Sequence, residues 1–486
     1  MIHLNSLLKT ARPAAGLLLA AAFAAQTGHA QTAFQSGTLS VIRYGDRTNT
    51  TLSTATVPVS LEEYTTAGTL VRTIDIPPVG TGSNFNFVGS TFNNNSDGIV
   101  GISPDRSRLS IGGYDMAVAA SNPIASAANR VVGVFTANGA FQSSAAFAAI
   151  AGQPVRSTMV TNTGALYLGV GAGGTQGLRY AAAPAASATP TVVPDNVITA
   201  GINTQKMQIY NGDLYMVSTS TQPTGSAGRL RRYAGLPTTA STTPTNLPGI
   251  PLNATGVPNS TAFVMFDVNP AVAGPDLLYY TDDVVTGSII NKYIYNGTTW
   301  TAQGSYTVSG TGAGNAVTDG LLRDMTGRLE NGVPVLYAVS YSSLLRFADA
   351  AAYTAPASVT QTVLINNNTY NAQNIAGTAF YSFKGISFSP GTREAIALAT
   401  APAQLQRQVQ VYPNPSHGAV QLSLPAELQA EKLTAAVVNV LGQTVRQQPL
   451  AAGAERTVSL AGLAAGVYTL RLETSRGSIN KRFVVE

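Results

Sequence analysis

Residues 383–391 read FKGISFSPG, and this late segment resembles GIVGISPDR at 98–106, far earlier in the chain. The earlier copy belongs to a series, with STMVTNTG (157–164), KMQIYNG (206–212), FVMFDVNP (263–270) and GLLRDMTG (320–327). Each of these five runs precedes a strand-like segment: RLSIGGYD (108–115), ALYLGV (165–170), DLYMVS (213–218), LLYYTD (277–282) or VLYAVS (335–340). A sixth such segment, LSVIRYGD at 39–46, has no run ahead of it, and 383–391 has no strand after it. The unmatched pieces complete each other. The spacing predicts that the end of the body supplies the strand its beginning lacks.

Fixed-period self-similarity of this kind marks repeat architectures. Tyr167, Tyr215, Tyr279 and Tyr337 recur 48, 64 and 58 residues apart. A third set of runs ends in an aromatic residue and a turn: SLEEYTTAG (60–68), VVGVFTANG (131–139), GLRYA (177–181), RLRRYAG (229–235), NKYIYNG (291–297) and LLRFADA (344–350). Repeats of about four short strands cannot bury their own faces and do so by stacking in a ring. The reading is an all-β chain with a six-bladed β-propeller over 31–390, or seven-bladed if 80–97 or 365–382 hides a blade. Closing the ring with 383–391 against 39–46 also hides sheet edges that would template aggregation. The recurrent tyrosines then lie on second strands, packed between blades. Asn138-Gly139, Asn211-Gly212 and Asn296-Gly297 are expected at hairpin turns.

Composition narrows the chemistry. Charged residues are 10% of the 486, against about 25% in an average soluble domain. With 47 glycines and 26 prolines, turns are dense. There is no cysteine, which excludes disulfides and thiolate chemistry. The three histidines are His3, His29 and His417, so the body from Gln31 to Thr400 has neither of the side chains most used in catalysis near neutral pH. The net charge of +5 divides as +2 in residues 1–30, 0 in 31–404 and +3 in 405–486. A polyanion binder needs a concentrated basic patch. The one local cluster in the body is Arg229, Arg231 and Arg232, which alternation splits between two strand faces. Nucleic acid is therefore not an expected partner.

At the N-terminus, Lys9 and Arg12 precede the apolar run Ala14–Ala25 and small residues at Gly28 and Ala30. That pattern is a secretory signal peptide over 1–30, with cleavage between Ala30 and Gln31. Its 12 apolar residues rise only about 18 Å as a helix, short of a roughly 30 Å bilayer core. No transmembrane segment is expected after cleavage.

Residues 391–408 lose the repeat and read as a linker. Beyond them come VQVYPNPSHGAVQLSLP (409–425), AAVVNVLGQTVRQQPL (435–450) and LAGLAAGVYTLRLETSRGSINKRFVVE (460–486). Alternation in these runs predicts a small immunoglobulin-like β-sandwich over 409–486, with Tyr412, Leu463 and Tyr468 in its core. The segment resembles the type A C-terminal sorting domain of the type IX secretion system of Bacteroidota. Tyr412, Pro413, Asn414, Pro415, Gly418, Gly442, Gln443, Leu460, Gly462, Leu463, Gly466, Val467, Tyr468, Lys481, Val484 and Val485 carry the likeness. The resemblance implies passage through the periplasm and recognition by the type IX translocon and its sortase. Release, or attachment to surface lipopolysaccharide, would follow.

Candidate acids for chemistry at the channel are Asp46, Asp97, Asp105, Asp267, Asp282, Asp283, Asp319 and Asp324. Asp282 and Asp283 are adjacent on a strand and should face opposite ways, which argues against their acting as a pair. Oxygen ligands for calcium are present in Asn93–Asn95 beside Asp97, and in Asp267 with Asn269. Such clusters at strand ends are more often turn formers, so no cofactor is expected, calcium being the exception kept open. GVGAGGTQG (169–177) lacks a following Lys-Ser/Thr and reads as a turn rather than a phosphate cradle. Sialidase-type aspartate boxes are missing, and Trp300 is the one tryptophan. The leading expectation is an exported, non-catalytic binding or scaffold propeller with an unknown extracellular ligand. The alternative is a secreted carboxylate- or calcium-dependent hydrolase or lactonase acting at the channel.

Overall fold

A computed structural model describes residues 32–46, 55–90, 97–120, 122–148, 150, 152–171, 177–219, 228–240, 244–253, 260–269, 271–284, 287–309, 321–351, 353–366, 381–391, 408–429, 433–439, 444–453, 455–474 and 477–486. The expected signal peptide with Ala30 and Gln31, the linker from 392 to 407, Asn93–Asn95, Asp319, Gly442 and Gln443 lie outside the described residues.

Six sheets make up the described body. The first holds β1 (Leu39–Tyr44), β2 (Val59–Tyr64) and β3 (Leu70–Asp75). The second holds β4 (Gly101–Ile102), β5 (Arg108–Tyr114), β6 (Arg130–Thr136) and β7 (Phe141–Phe147). The third consists of β8 (Val155–Val160), β9 (Leu166–Val170), β10 (Gly177–Ala181) and, beyond the short β11 (Thr191–Val192), β12 (Asn196–Ala200). The fourth is β13 (Thr204–Tyr210), β14 (Asp213–Ser218), β15 (Leu230–Tyr233) and β16 (Thr245–Asn246). The fifth is β17 (Phe263–Phe266), β18 (Leu277–Val284), β19 (Gly287–Tyr295) and β20 (Trp300–Thr307). The sixth is β21 (Asp324–Glu330), β22 (Val333–Val339), β23 (Ser343–Asp349) and β24 (Val359–Asn366). Within each sheet the strands run antiparallel in chain order, save β11, which crosses back to pair in parallel with β7.

The last strand of the body, β25 (Ser382–Phe388), joins the first sheet. It pairs antiparallel with β1, placing Val41 opposite Ile386 and Tyr44 opposite Ser382. Thr38 Oγ1 and Ser40 Oγ each lie 2.9 Å from Ser389 Oγ, sealing the seam. This is the closure that the displaced run 383–391 predicts.

Six buried clusters fill the spaces between consecutive sheets, and each draws side chains from two of them. The sixth joins Val335, Tyr337 and Val339 of β22 to Leu39, Val41, Phe383 and Ile386 of the first sheet. The ring is therefore complete, and it is a six-bladed β-propeller. Tyr167, Tyr279 and Tyr337 are wholly buried on second strands and Tyr215 nearly so, as their spacing implies.

Local details follow from residue type. Asn211 and Gly212 both adopt left-handed backbone, with φ of 49° and 83°, in the two-residue turn between β13 and β14. Asn331-Gly332 repeats that turn between β21 and β22, with φ of 52° and 82°. GIVGISPDR yields only the two residues of β4, and Gly101 within it lies so close to the Thr158 carbonyl that a Cβ would sit 2.1 Å from the oxygen. Residues 80–90 connect rather than form a blade, touching the body through the bridges Val57–Gly89 and Val88–Tyr114.

The tail is a two-sheet sandwich. One sheet is formed by β26 (Gln410–Tyr412), β27 (Ala419–Ser423) and β30 (Glu455–Ser459). The other is formed by β28 (Leu433–Val438), β29 (Thr444–Leu450), β31 (Gly466–Thr474) and β32 (Gly477–Val485). Val420, Leu422, Val437, Leu470, Leu472 and Phe483 lie in its core. Tyr412 corrects an expectation: it is 39% exposed, not core, because it ends β26 on the surface. Leu463 and Tyr468 do pack against the core from its margin.

If closure is where the ring gains its stability, Ile386→Ala should cost about 2–4 kcal/mol in urea unfolding. Val363→Ala, on the outer strand β24 and 44% exposed, should change stability by less than about 0.5 kcal/mol. Equal, small effects would show that the seam contributes nothing special.

Candidate functional site at the channel end

Neighbouring strands run antiparallel, so the starts of the inner strands share one end of the ring with the ends of the second strands. Charged residues gather there. Asp324, the first residue of β21, is wholly buried and pairs with Lys206 near the start of β13. Its Oδ2 accepts hydrogen bonds from Ile386 N at 3.0 Å and Val100 N at 3.3 Å, and its Oδ1 accepts one from Met325 N at 2.8 Å. One carboxylate thus ties together sheets one, two, four and six. Burial pushes its pKa up, and the Lys206 ammonium opposes that.

Asp282 and Asp283 lie just before the end of β18 and face opposite ways, as alternation requires. Asp282 pairs with Arg229 of sheet four and accepts hydrogen bonds from Ser260 Oγ at 2.7 Å and Asn291 Nδ2 at 3.1 Å. Asp283 accepts from Ser288 Oγ at 2.8 Å and stands 3.6 Å from Arg323 of sheet six. Arg229 and Arg231 are buried while Arg232 is turned outward to Asp213. The arginine cluster is spent inside the fold rather than on a basic surface patch.

Lys384 of β25 has its ammonium 5.2 Å from the ring centre of Tyr44 and 4.8 Å from that of Tyr341. Such cation–π contacts favour the charged form, yet burial lowers the Lys384 pKa to about 8, with Asp97 opposing and Arg323 reinforcing the shift. Asp97, also buried, is pushed upward by loss of water, against the pull of Lys384, Ser90 and Arg156. Burial brings Arg156 down to about 10. The Tyr114 hydroxyl accepts a hydrogen bond from Val155 N at 3.2 Å and lies close enough to Asp97 to feel its charge. Asp97, Tyr44, Tyr114, Arg156, Arg323 and Lys384 come from four blades, and chain separation hid their meeting.

The remaining candidates serve turns. Asp105 accepts from Ser103 Oγ at 2.6 Å and from Ser107 N at 3.0 Å; burial would raise its pKa, but these bonds outweigh it and hold the group low. Asn269 Oδ1 accepts from Ala271 N at 3.1 Å, and exposed Asp267 stands beside the turn. The loop is closed by Asp276, which the sequence reading missed: it accepts from Val268 N at 2.9 Å and Asn269 N at 2.5 Å, and burial raises its pKa to about 6. Asp46 follows β1 at an exposed position. Glu62 and Glu63 were also missed, although two consecutive carboxylates inside the strand VSLEEY were a visible signal. Both are wholly buried. Glu62 accepts from Arg43 Nε at 2.8 Å, and Glu63 from Arg72 Nε at 2.7 Å and Thr38 Oγ1 at 2.6 Å. Among the described residues, no group of three or more His, Cys, Asp or Glu could hold a metal ion.

In the tail, several of the described signature residues lie together. Pro413, Asn414, Pro415 and Gly418 are exposed there beside Tyr412. Asn414 Oδ1 accepts from Val484 N at 2.8 Å, and Ser416 N donates to Val484 O at 2.9 Å. Leu460 N donates to Gly418 O at 2.7 Å, Gly466 pairs with Val485, and Gly462 takes a φ of 80° in the intervening turn. Lys481 is half-buried on the edge strand β32.

Residues 410–486 match the family of secretion system C-terminal sorting domains. The chain therefore ends in a type IX sorting tail, which directs it out of the cell to secretion or the cell surface. No curated protein matches the sequence. Among solved structures, the chain is similar to a candidate 6-phosphogluconolactonase of Bacteroides uniformis at 10% identity, covering 86% of this chain and 99% of the other, with a TM-score of 0.37. A candidate of the same kind from Bacteroides fragilis gives 8% identity, 86% and 98% coverage and a TM-score of 0.37. The Dos1 propeller gives 9% identity, 93% and 95% coverage and a TM-score of 0.35. Likenesses this distant say nothing of activity.

The lysine makes a pH prediction. An unfolded chain keeps the lysine proton to about 10.4, whereas the folded protein releases it near 8. Between those values the unfolded state binds more protons, so stability rises with pH. Relative to Lys384→Met, the unaltered protein should gain up to about 3 kcal/mol from pH 8 to about 10 in urea titrations. A flat difference would mean that Lys384 stays charged throughout.

Proposed function

We propose that the chain is an exported propeller that binds a ligand outside the cell and carries out no catalysis. The observation that carries this reading is the pairing of acids at the channel end. Asp282, Asp283 and Asp324 each face a cation of another sheet. A carboxylate engaged by a buried cation is held as a structural anion, and hydrolysis by two acids needs a separate pair about 5–10 Å apart. The sorting tail supports the location, since a secreted binding module needs that address and no further cofactor.

In this reading the export signal over residues 1–30 passes the chain to the periplasm. The folded tail then engages the type IX translocon and its sortase, and the body is released or attached to surface lipopolysaccharide. One observation favours the alternative of a carboxylate-dependent hydrolase. Asp97 is buried at the channel end with no ion-pair partner within 4 Å among the described residues, and its pKa is raised.

Removing residues 409–486 should leave the body in the periplasm, as fractionation and immunoblotting would show; normal export of the truncated chain overturns the sorting role. With the intact purified protein, glycoside and lactone substrates should not turn over, and calcium at about 1 mM should leave Tm unchanged, since a ligand held only by the folded state would raise it. Turnover abolished by Asp97→Asn would favour the hydrolase instead.

A further inference from the structure

At the opposite end of the ring from the acids, the second and third sheets leave a cleft of about 380 Å³ between them. Arg108 stands opposite Thr136 across β5 and β6, and Val134 opposite Gln142 across β6 and β7, so all four share one face of the second sheet. The third sheet forms the other side with Val160, at the end of β8, and Leu166, at the start of β9. Val132, Ala145, Val160 and Leu166 also belong to the buried cluster between these sheets, so the floor of the cleft is the open end of that cluster. The strap from β10 to β11 forms the roof. It is held at one end where Ala183 rests on Gly164, whose added Cβ would lie 3.6 Å from that of Ala183. At the other end Val193 N donates to Ala146 O at 2.8 Å. Between these anchors the strap offers Pro184, Ala185, Ala186 and Ser187, small side chains that leave the cleft open beneath them.

The lining defines the guest. The volume lies at the lower end of the roughly 300–1,000 Å³ range of small-molecule sites. Among the described residues around it there is no acid and no aromatic ring, and Arg108 is the one charged side chain. Arg108 Nη1 donates to Asn162 O at 2.6 Å, which leaves the Nε and Nη2 fork for another acceptor. Asp105 stands near enough to feel that charge but spends its Oδ1 on Ser103 and Ser107. An ammonium or metal ion would therefore meet a cation and no counter-charge. A bare inorganic anion would satisfy Arg108 but leave the valine and leucine floor in water. A wholly apolar guest would cover the guanidinium without giving it an acceptor. A sugar would set its hydroxyls against Val134, Val160 and Leu166 with no ring to stack on. An apolar body carrying one carboxylate meets both demands. We propose that the cleft binds an amphipathic monocarboxylate, such as a medium-chain fatty acid or an arylalkyl acid. Its carboxylate sits on Arg108 and its body on Val134, Val160 and Leu166, under the strap. This rests on the reading of the propeller as a binding module and gives that module a site away from the channel.

The test titrates the intact purified protein with octanoate, 4-phenylbutyrate, octanamide and sodium phosphate, by calorimetry and saturation-transfer NMR. At least one of the two acids should bind with a Kd below about 1 mM, and octanamide and phosphate about tenfold more weakly or worse. Arg108→Gln should weaken the acid about tenfold or more, the loss of a charged hydrogen bond. Ala186→Trp, at an exposed strap position, should fill the cleft and abolish binding with Tm unchanged. Thermal melts establish that each variant is folded; should Arg108→Gln not fold, octanamide and Ala186→Trp decide. No acid bound at about 10 mM, equal binding of octanamide or phosphate, or binding that both substitutions leave intact each overturns the proposal. If a methyl glycoside then binds the intact protein, the cleft alone falls and the binding propeller stands. Turnover of a glycoside or lactone would refute the non-catalytic reading, and the octanoate titration would still decide the cleft.

Discussion

The structure depends on one strand pairing made across almost the whole body, β25 against β1. No sheet of the propeller has a core of its own. Each buried cluster takes its side chains from two neighbouring sheets, so every sheet needs a partner on both sides. Were the ring open, the first and sixth sheets would each expose an apolar face, and β1 would present an unpaired edge. The Val41–Ile386 register removes all three liabilities at once. It also makes the ring nearly all-or-none, because each interface is shared. Thr38 and Ser389, linked through their hydroxyls, are 351 residues apart in sequence, so closure requires most of the chain to be in place first.

Closure has an electrostatic consequence. It brings the inner strands of all the sheets to one axis, where water is scarce and backbone groups at strand starts still need partners. Asp324 answers the second need by accepting from three backbone N–H groups. That choice creates the first problem, a buried negative charge, which Lys206 neutralises from across the ring. Buried pairs of this kind add little net stability, because desolvation offsets their attraction. What they supply is discrimination: a mis-registered inner strand would strand a charge in a dry interior.

The two parts of the structure were unequally legible. Strand order, the clasp and the burial of Tyr167, Tyr279 and Tyr337 follow from patterns repeated along the chain, which composition and spacing expose. Which acid meets which base does not, because Lys206 with Asp324 and Arg229 with Asp282 are pairings set by angular position around the ring, not by sequence distance. Asp276, Glu62 and Glu63 were hidden for a related reason. A carboxylate within an apolar strand looks like an error of patterning until its arginine or backbone donors are placed beside it. The strap that carries β11 back to β7 had no signal either, since residues 182–190 are rich in alanine, proline and serine and match no repeat.

The tail shows the opposite relation between signature and burial. Its diagnostic residues are mostly exposed or at turns: Tyr412 to Pro415 lie on the surface, and Gly418 and Gly462 take positive φ where a side chain would be strained. The core of the sandwich, by contrast, is built from interchangeable valines and leucines that identify nothing. Hydrogen bonds from Val484 to Asn414 and from Ser416 to Val484 then join the start of the signature to the last residues of the chain. The basic excess lies elsewhere on the same domain, with Arg471 and Arg482 lining a shallow hollow of about 330 Å³ on the outer face of the four-stranded sheet. A neutral body and a basic tail with its signature at the surface suit a sorting address: the feature to be read stays in view after folding, whatever cargo precedes it.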